Sequence, residues 1–163
     1  MTLSAQARAD AHEQIRQVAA RYSHGVDRLN EAVMKSAYWP DAIDDHGVFV
    51  GNAMDFCAMV VASHRSFDST MHCNFNHLID ITSATRAKGE IYNVAYIRST
   101  VNGQPMLDTW FGRYLDEYEC RNGEWRIRHR VCVHEGTRRE AVTQTMPIDA
   151  AKFRQGAADR GTA

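Results

Sequence analysis

Long apolar runs are absent from this 163-residue chain. Without the roughly 18 consecutive apolar residues that a spanning helix needs, no membrane segment is expected. The opening stretch, MTLSAQARADAHEQIRQ, is polar and charged and lacks the apolar core of a secretory signal. Cysteine is scarce and unpatterned. Cys57, Cys73, Cys120 and Cys132 form no CxxC pair and no disulfide framework, which fits reduced thiols in the cytoplasm. Basic runs are missing too: 19 Lys and Arg stand against 20 Asp and Glu, for a net charge of -1. A nucleic-acid partner is therefore not expected. There is no HExxH, no cupin-like His-x-His with a following Glu, and no internal repeat.

What remains is an ordinary globular composition, 44% hydrophobic and 24% charged, at a length that suits one domain. Residues 5–29 read as a helix, with Ile15, Val18, Ala19, Tyr22, Val26 and Leu29 on one apolar stripe and Thr2 or Ser4 as its cap. A second short helix is expected at 31–38, stopping before Pro40. A short strand follows around 48–50, then a third helix at 52–65. Beyond Phe67 the texture changes. Turn signals at Ser83-Ala84-Thr85, Asn102-Gly103 and Asn122-Gly123 divide four long strands, 69–82, 85–101, 106–121 and 124–135, joined as an antiparallel meander. Strands of that length bend, and Gly89 and Gly112 are the candidate bend points. Helices followed by a meander make an α+β fold, with residues 1–136 as the domain and 137–163 as a C-terminal arm, partly extended or disordered.

Eight histidines are present, and placement matters more than number. On the strand 69–82, His72, Asn74 and Asn76 share one parity, a face too polar for ordinary helix packing unless it meets water or lines a pocket. Asp27 lies at the shoulder of the first helix. Should that helix cross the inner face of the meander, Asp27 and His72 meet. Neutral imidazole is suited to proton removal near neutral pH, and a carboxylate on its other nitrogen fixes the tautomer. His46, after Asp44 and Asp45, is a pocket-rim or turn residue. On the last strand, Trp125 and Ile127 share the parity of His129, which favours His129 inward and Arg130 outward unless a bulge admits both. His72 and His77 have opposite parity and cannot chelate together from a regular strand, which leaves His46, His72 and His129 as the one trio for a metal.

The segments YSHGVDRLN, YWPDAIDDHGVFVG, STMHCNFNHLIDI and GRYLDEYECRNGEWRIRHRVCV, spanning about residues 8–136, resemble the SnoaL-like domain family of the NTF2-like superfamily. Relatives there include scytalone dehydratase, bile-acid 7α-dehydratase and hexachlorocyclohexane dehydrochlorinase. The resemblance implies a cone of helices on a strongly curved, mainly antiparallel sheet. It also implies a cofactor-independent lyase, most simply a dehydratase, in which His72 is the general base and Asp27 its partner. Dehydrohalogenation, double-bond isomerisation and C–C cleavage are alternatives that start from the same base. Tyr22 matches a further catalytic position, although an ideal helix sets it about 140° round from Asp27. Tyr38 resembles a pocket tyrosine and Arg130 a late-strand arginine, so the resemblance turns Arg130 inward where parity turns His129. His46, Phe49, Asn74 and Trp110 complete the candidate substrate contacts, for a small hydrophobic, cyclic or aromatic substrate. No metal or organic cofactor is needed for such chemistry, and a homodimer or homotrimer is expected. Two other readings stand beside it: a non-catalytic ligand-binding or assembly module, and a metal- or oxygenase-associated subunit.

Overall fold

The computed structural model describes residues 3–153. Helix α1 (Ala5–Asp27) is capped by Ser4, whose hydroxyl accepts a hydrogen bond from the Ala7 amide at 3.2 Å. Thr2, the other candidate cap, lies outside the described residues. Ile15, Val18, Ala19, Tyr22, Val26 and Leu29 are all buried, as the apolar stripe predicts, and Ala11 joins them. The helix ends two residues before the expected 29. There Leu29 takes a left-handed φ of 52°, and the amides of Leu29 and Asn30 return to the carbonyls of Val26 and Gly25. Asn30 then caps α2 (Glu31–Lys35) through its side chain, which accepts from the Val33 amide at 3.1 Å. The turn is tight because α1 carries Gly25 where α2 crosses: a Cβ there would stand 2.5 Å from the Met34 backbone nitrogen.

Strand β1 (Tyr38–Asp45) replaces what the sequence presents as a helix end and a loop. It pairs antiparallel with β2 (Val50–Asn52) and parallel with β6 (Glu124–Ala141). Its pattern is inverted, with Asp44 fully buried and Ile43 half exposed, so the usual apolar alternation is missing. Pro40 is tolerated because the register with β6 breaks between Tyr38 and Ile43. Helix α3 (Ala53–His64) follows, capped by Asn52.

The meander consists of β3 (Ser69–Ile81), β4 (Arg86–Val101), β5 (Gln104–Arg121) and β6 (Glu124–Ala141). Both Asn-Gly turns have positive φ at both residues, 50° and 78° at Asn102-Gly103, 54° and 84° at Asn122-Gly123. The sheet order is β2-β1-β6-β5-β4-β3, and only β1 and β6 run parallel. This is an α+β cone: α1 and α3 cover the concave face of a curved six-stranded sheet. β6 continues to Ala141, five residues into the stretch expected as an arm, because it pairs with β5 as far as Met106.

Three bulges bend the sheet and reset its parity. One falls in β3 between Asn74 and His77, and two in the β5–β6 ladder, at Phe111/Gly112 and Glu117/Tyr118. The β3 bulge puts His77, Ile79 and Ile81 on the same side as Thr70 and His72, against the opposite parity of His72 and His77 expected from a regular strand. At the second bulge Gly112 is required: a Cβ would lie 2.0 Å from the Val133 carbonyl oxygen. No described helix is long and apolar enough to cross a membrane.

Candidate active site

Asp27 is the last residue of α1, and β3 passes beneath it. Its carboxylate accepts three hydrogen bonds from this one strand: from Thr70 Oγ1 at 2.9 Å, His72 N at 2.9 Å and His72 Nδ1 at 2.7 Å. Burial pushes the Asp27 carboxyl up, but the bonds and charge of His72 and the Thr70 hydroxyl outweigh it and hold it below the usual carboxylate range. A carboxylate only accepts, so Nδ1 of His72 must carry the hydrogen, and Nε2 is left to take a proton. Among the described residues nothing hydrogen-bonds that nitrogen.

The imidazole opens into a cavity of about 450 Å³ between α1, α3 and the sheet. Val26, Phe56, Met59, Val60, Ala95, Ile97 and Trp110 make most of its wall apolar. Polar groups are few: Tyr22, Ser63, Tyr114, Cys132 and the histidines His46, His64, His72 and His134. His64 lies nearly parallel to His72, with ring centroids 6.4 Å apart. Burial pushes Cys132 up to about 12, so its thiol stays protonated and is no nucleophile at neutral pH. Burial likewise raises Tyr22 and Tyr114 well above the ordinary phenol, so both keep their hydrogens and neither is an anionic base.

A second carboxylate–imidazole pair reaches the same cavity from β1. Asp44 and the following His46 are two residues apart and share a face. Oδ1 of Asp44 meets Nδ1 of His46, and Oδ2 accepts the Tyr38 hydroxyl at 2.6 Å. The His46 ring stacks on Phe56 with centroids 4.2 Å apart, and its Nε2 faces the Tyr22 hydroxyl at 3.4 Å.

Beneath these groups Arg130 is fully buried. It forms a bidentate pair with Asp116, 2.7 Å in each arm, and Tyr118 donates to the same carboxylate at 2.6 Å. Its guanidinium lies 4.3 Å from the Tyr22 ring centroid and 4.1 Å from that of Tyr114. Burial opposes its charge, but Asp116 and the surrounding tyrosines more than compensate and raise its pKa further.

Residues 7–131 match the SnoaL-like domain family. The chain belongs to that family. Among solved structures, this SnoaL-like chain is similar to a hexachlorocyclohexane dehydrochlorinase, LinA type 2, at a TM-score of 0.78 and 19% identity, covering 90% of this chain and 99% of the other. It is similar to LinA type 3 from Novosphingobium barchaimii at 0.74 and 21% identity, over 89% and 100% of the two chains. A protein from Novosphingobium aromaticivorans proposed to be a scytalone dehydratase follows at 0.73 and 20%, over 83% and 91%. No curated protein matches in sequence. At such identities the likeness concerns the fold, the NTF2-like cone.

The SnoaL-like cone brings His72, Tyr22, His46 and Trp110 to one cavity, with Asp27 behind His72, and Tyr22 meets His46, not Asp27. The 140° between Tyr22 and Asp27 is thereby explained: they serve different imidazoles. Five expected substrate contacts stand elsewhere, His129 among them. Tyr38 is sealed behind the wall and holds Asp44. Phe49 packs on the outer side of Phe56. Asn74 ties β3 to α1 through Ser23 and the Ala19 carbonyl and accepts from Asn93. Arg130 turns inward, as the resemblance implies, but below the cavity's tyrosines.

His129 turns outward, against the strand parity read from the sequence. Arg128 is the extra residue of the bulge at Glu117/Tyr118, so Ile127 and Arg130 both face in, and His129 joins a groove on the outer face beside Leu78, Lys88 and Glu90. The trio His46, His72 and His129 is therefore not assembled. Among the described residues no group of three or more His, Cys, Asp or Glu is placed to hold a metal ion. Asp44, His64, Cys132, His134 and Tyr114 were not singled out as site residues. For Asp44 a signal existed, the spacing of two from His46 on a strand, but it was hidden while that segment read as a loop.

Proposed function

We propose that this protein is a cofactor-independent lyase in which His72 is the general base, most simply a dehydratase of a small cyclic or aromatic compound. The observation that carries the reading is the hold of Asp27 on the ring and backbone amide of His72, braced by the Thr70 hydroxyl, at the wall of an apolar cavity. Nε2 removes a proton from carbon. The electron pair forms the new C=C bond, and the leaving group departs from the neighbouring carbon. Asp27 stabilises the imidazolium formed, and general-base catalysis of this kind is worth about 10²–10⁴-fold. The apolar wall, with Trp110 beside it, favours a compact ring. LinA, a dehydrochlorinase by name, supports elimination as the reaction class.

The four cysteines are free thiols, in keeping with a cytoplasmic protein. Met71, Phe75, Tyr92 and Phe111 lie exposed on the outer sheet face and support self-association, as a dimer or trimer.

The test is elimination from β-substituted cyclic ketones, followed by the ultraviolet absorption of the conjugated product. His72→Ala and Asp27→Asn should each lose at least about 10²-fold with far-UV spectra unchanged. Full turnover in both variants would end the reading.

A further inference from the structure

The proposed base accounts for one of the two imidazoles that a carboxylate holds in this cavity. The other, His46, has no part in removing the carbon-bound proton, yet its surroundings are as elaborate. Its Nδ1 is bound by Asp44, its ring is fixed against Phe56, and its Nε2 faces Tyr22 and the cavity. An elimination that expels hydroxide needs a proton on the departing oxygen. One that expels halide does not, because halide is stable as an anion in water. A site with a single base suits the second case, and a site with a base and a separate donor suits the first.

We propose that His46, held by Asp44, is the proton donor to the leaving oxygen, so that this cavity takes a substrate that loses a hydroxyl group. This rests on the reading of His72 as the base. In one turnover His72 Nε2 gains the carbon-bound proton, the C=C bond forms, and the C–O bond breaks. His46 Nε2–H passes its proton to that oxygen, and water leaves. His72 ends as imidazolium and His46 neutral. The pair resets when His72 releases a proton to bulk water at the cavity mouth and His46 takes one up.

The two pairs differ in a way that sorts base from acid. Asp27 already has a backbone amide and the Thr70 hydroxyl as donors and can remain ionised beside a neutral His72. Asp44 is fully buried, and among the described residues its side-chain donors are the Tyr38 hydroxyl and His46. Nearby lie a second buried carboxylate, Asp116, and a single buried guanidinium, Arg130, which Asp116 pairs. Buried charges persist when balanced, and a protonated His46 balances Asp44. The groups that face His46 are Asp44 from β1, Tyr22 from α1, Phe56 from α3 and Tyr114 from β5. Tyr22 can accept from Nε2–H or, after transfer, donate to the bare nitrogen, so either state has a partner. Tyr38 and Asp44 are positioning residues.

The experiment pairs 3-hydroxycyclohexanone with 3-chlorocyclohexanone, which give the same enone, and runs ¹⁵N NMR of the histidines in the unliganded protein. His46→Gln should lower the hydroxy-over-chloro ratio of kcat/KM by at least about 10-fold, within the 10²–10⁴-fold range of acid–base catalysis. Tyr38→Phe should lower it less. By NMR, His46 of the wild type should carry hydrogens on both nitrogens at pH 7 and lose that state in Asp44→Asn, while His72 carries one. An unchanged ratio in a folded His46→Gln protein overturns the donor role and leaves the base untouched. Loss of neither reaction in His72→Ala overturns the base itself. Should the two ketones prove poor substrates, the NMR result decides alone, and a bare Nε2 on His46 at pH 7 overturns the proposal.

Discussion

Replacing Arg130 by Met should destabilise the fold far more than any exposed charge change. The guanidinium and the Asp116 carboxylate are both fully buried and joined by two bonds of 2.7 Å. Removing the cation leaves Asp116, among the described residues, with the Tyr118 hydroxyl as its remaining side-chain donor and leaves the Tyr22 and Tyr114 rings without the charge between them. Breaking a buried pair from one side costs about 3–5 kcal/mol. For a chain of this size that corresponds to a fall in Tm of about 6–20 °C. Nη1 of Arg130 has no hydrogen-bond partner among the described residues, so the aromatic faces stand in for one. Urea unfolding of Arg130→Met, Asp116→Leu and the double variant, all in a Tyr118→Phe background so that no hydroxyl is orphaned, measures the coupling. The double variant should be more stable than either single change by several kcal/mol, because two apolar side chains then meet where two charges did. Additive losses, or a single-variant cost below about 1 kcal/mol, the range of exposed ion pairs, would refute the assignment of Arg130 to the foundation of the site.

Two further outcomes bear on the scaffold. Gly25→Ala places a methyl group 2.5 Å from the Met34 backbone nitrogen, so α2 must move off α1; a loss of about 1–3 kcal/mol in chemical unfolding is expected, and a neutral result would contradict the packing. His77 is pulled down to about 4, chiefly by burial, with Asp116 opposing and Arg130 adding to the shift. Its folded form thus binds a proton more weakly than the unfolded chain, whose histidine titrates near pH ~6.5. Stability should be full above that value and fall as pH drops from about 6.5 towards 4, and His77→Gln should flatten that part of the curve.

The meander was legible because its signals are local. Asn102-Gly103 and Asn122-Gly123 fix two hairpins through backbone conformations that few other pairs accept. The stripe from Ile15 to Leu29 fixes α1 in the same way. What escaped the sequence is what depends on pairing between distant strands. β1 carries a buried acid and an exposed isoleucine, so period-two hydrophobicity was inverted there. The bulge at Glu117/Tyr118 shifts parity by one residue, which sends His129 out and brings Arg130 in, and the bulge at Asn74/His77 brings His77 to the side of His72. Neither bulge has a residue that announces it. Asp27 and His72 were readable as a pair because each sits before the first break in its element. Asp44 and His46 were not, since a charged stretch ending in His-Gly reads as a turn.

The tyrosines connect these features. Tyr22, Tyr38, Tyr114 and Tyr118 are all buried and all held as neutral phenols by that burial. Tyr38 and Tyr118 spend their hydrogens on Asp44 and Asp116. Tyr22 and Tyr114 lend their faces to Arg130. A phenol so placed cannot become an anion without bringing a third negative charge to Asp44 and Asp116, with one guanidinium to offset them. Proton traffic across the cavity is therefore confined to the imidazoles, and Tyr22 accompanies His46 through either protonation state without ionising. That confinement makes the protonation of His46 relative to His72 the quantity on which the choice between a hydroxyl and a halide leaving group turns.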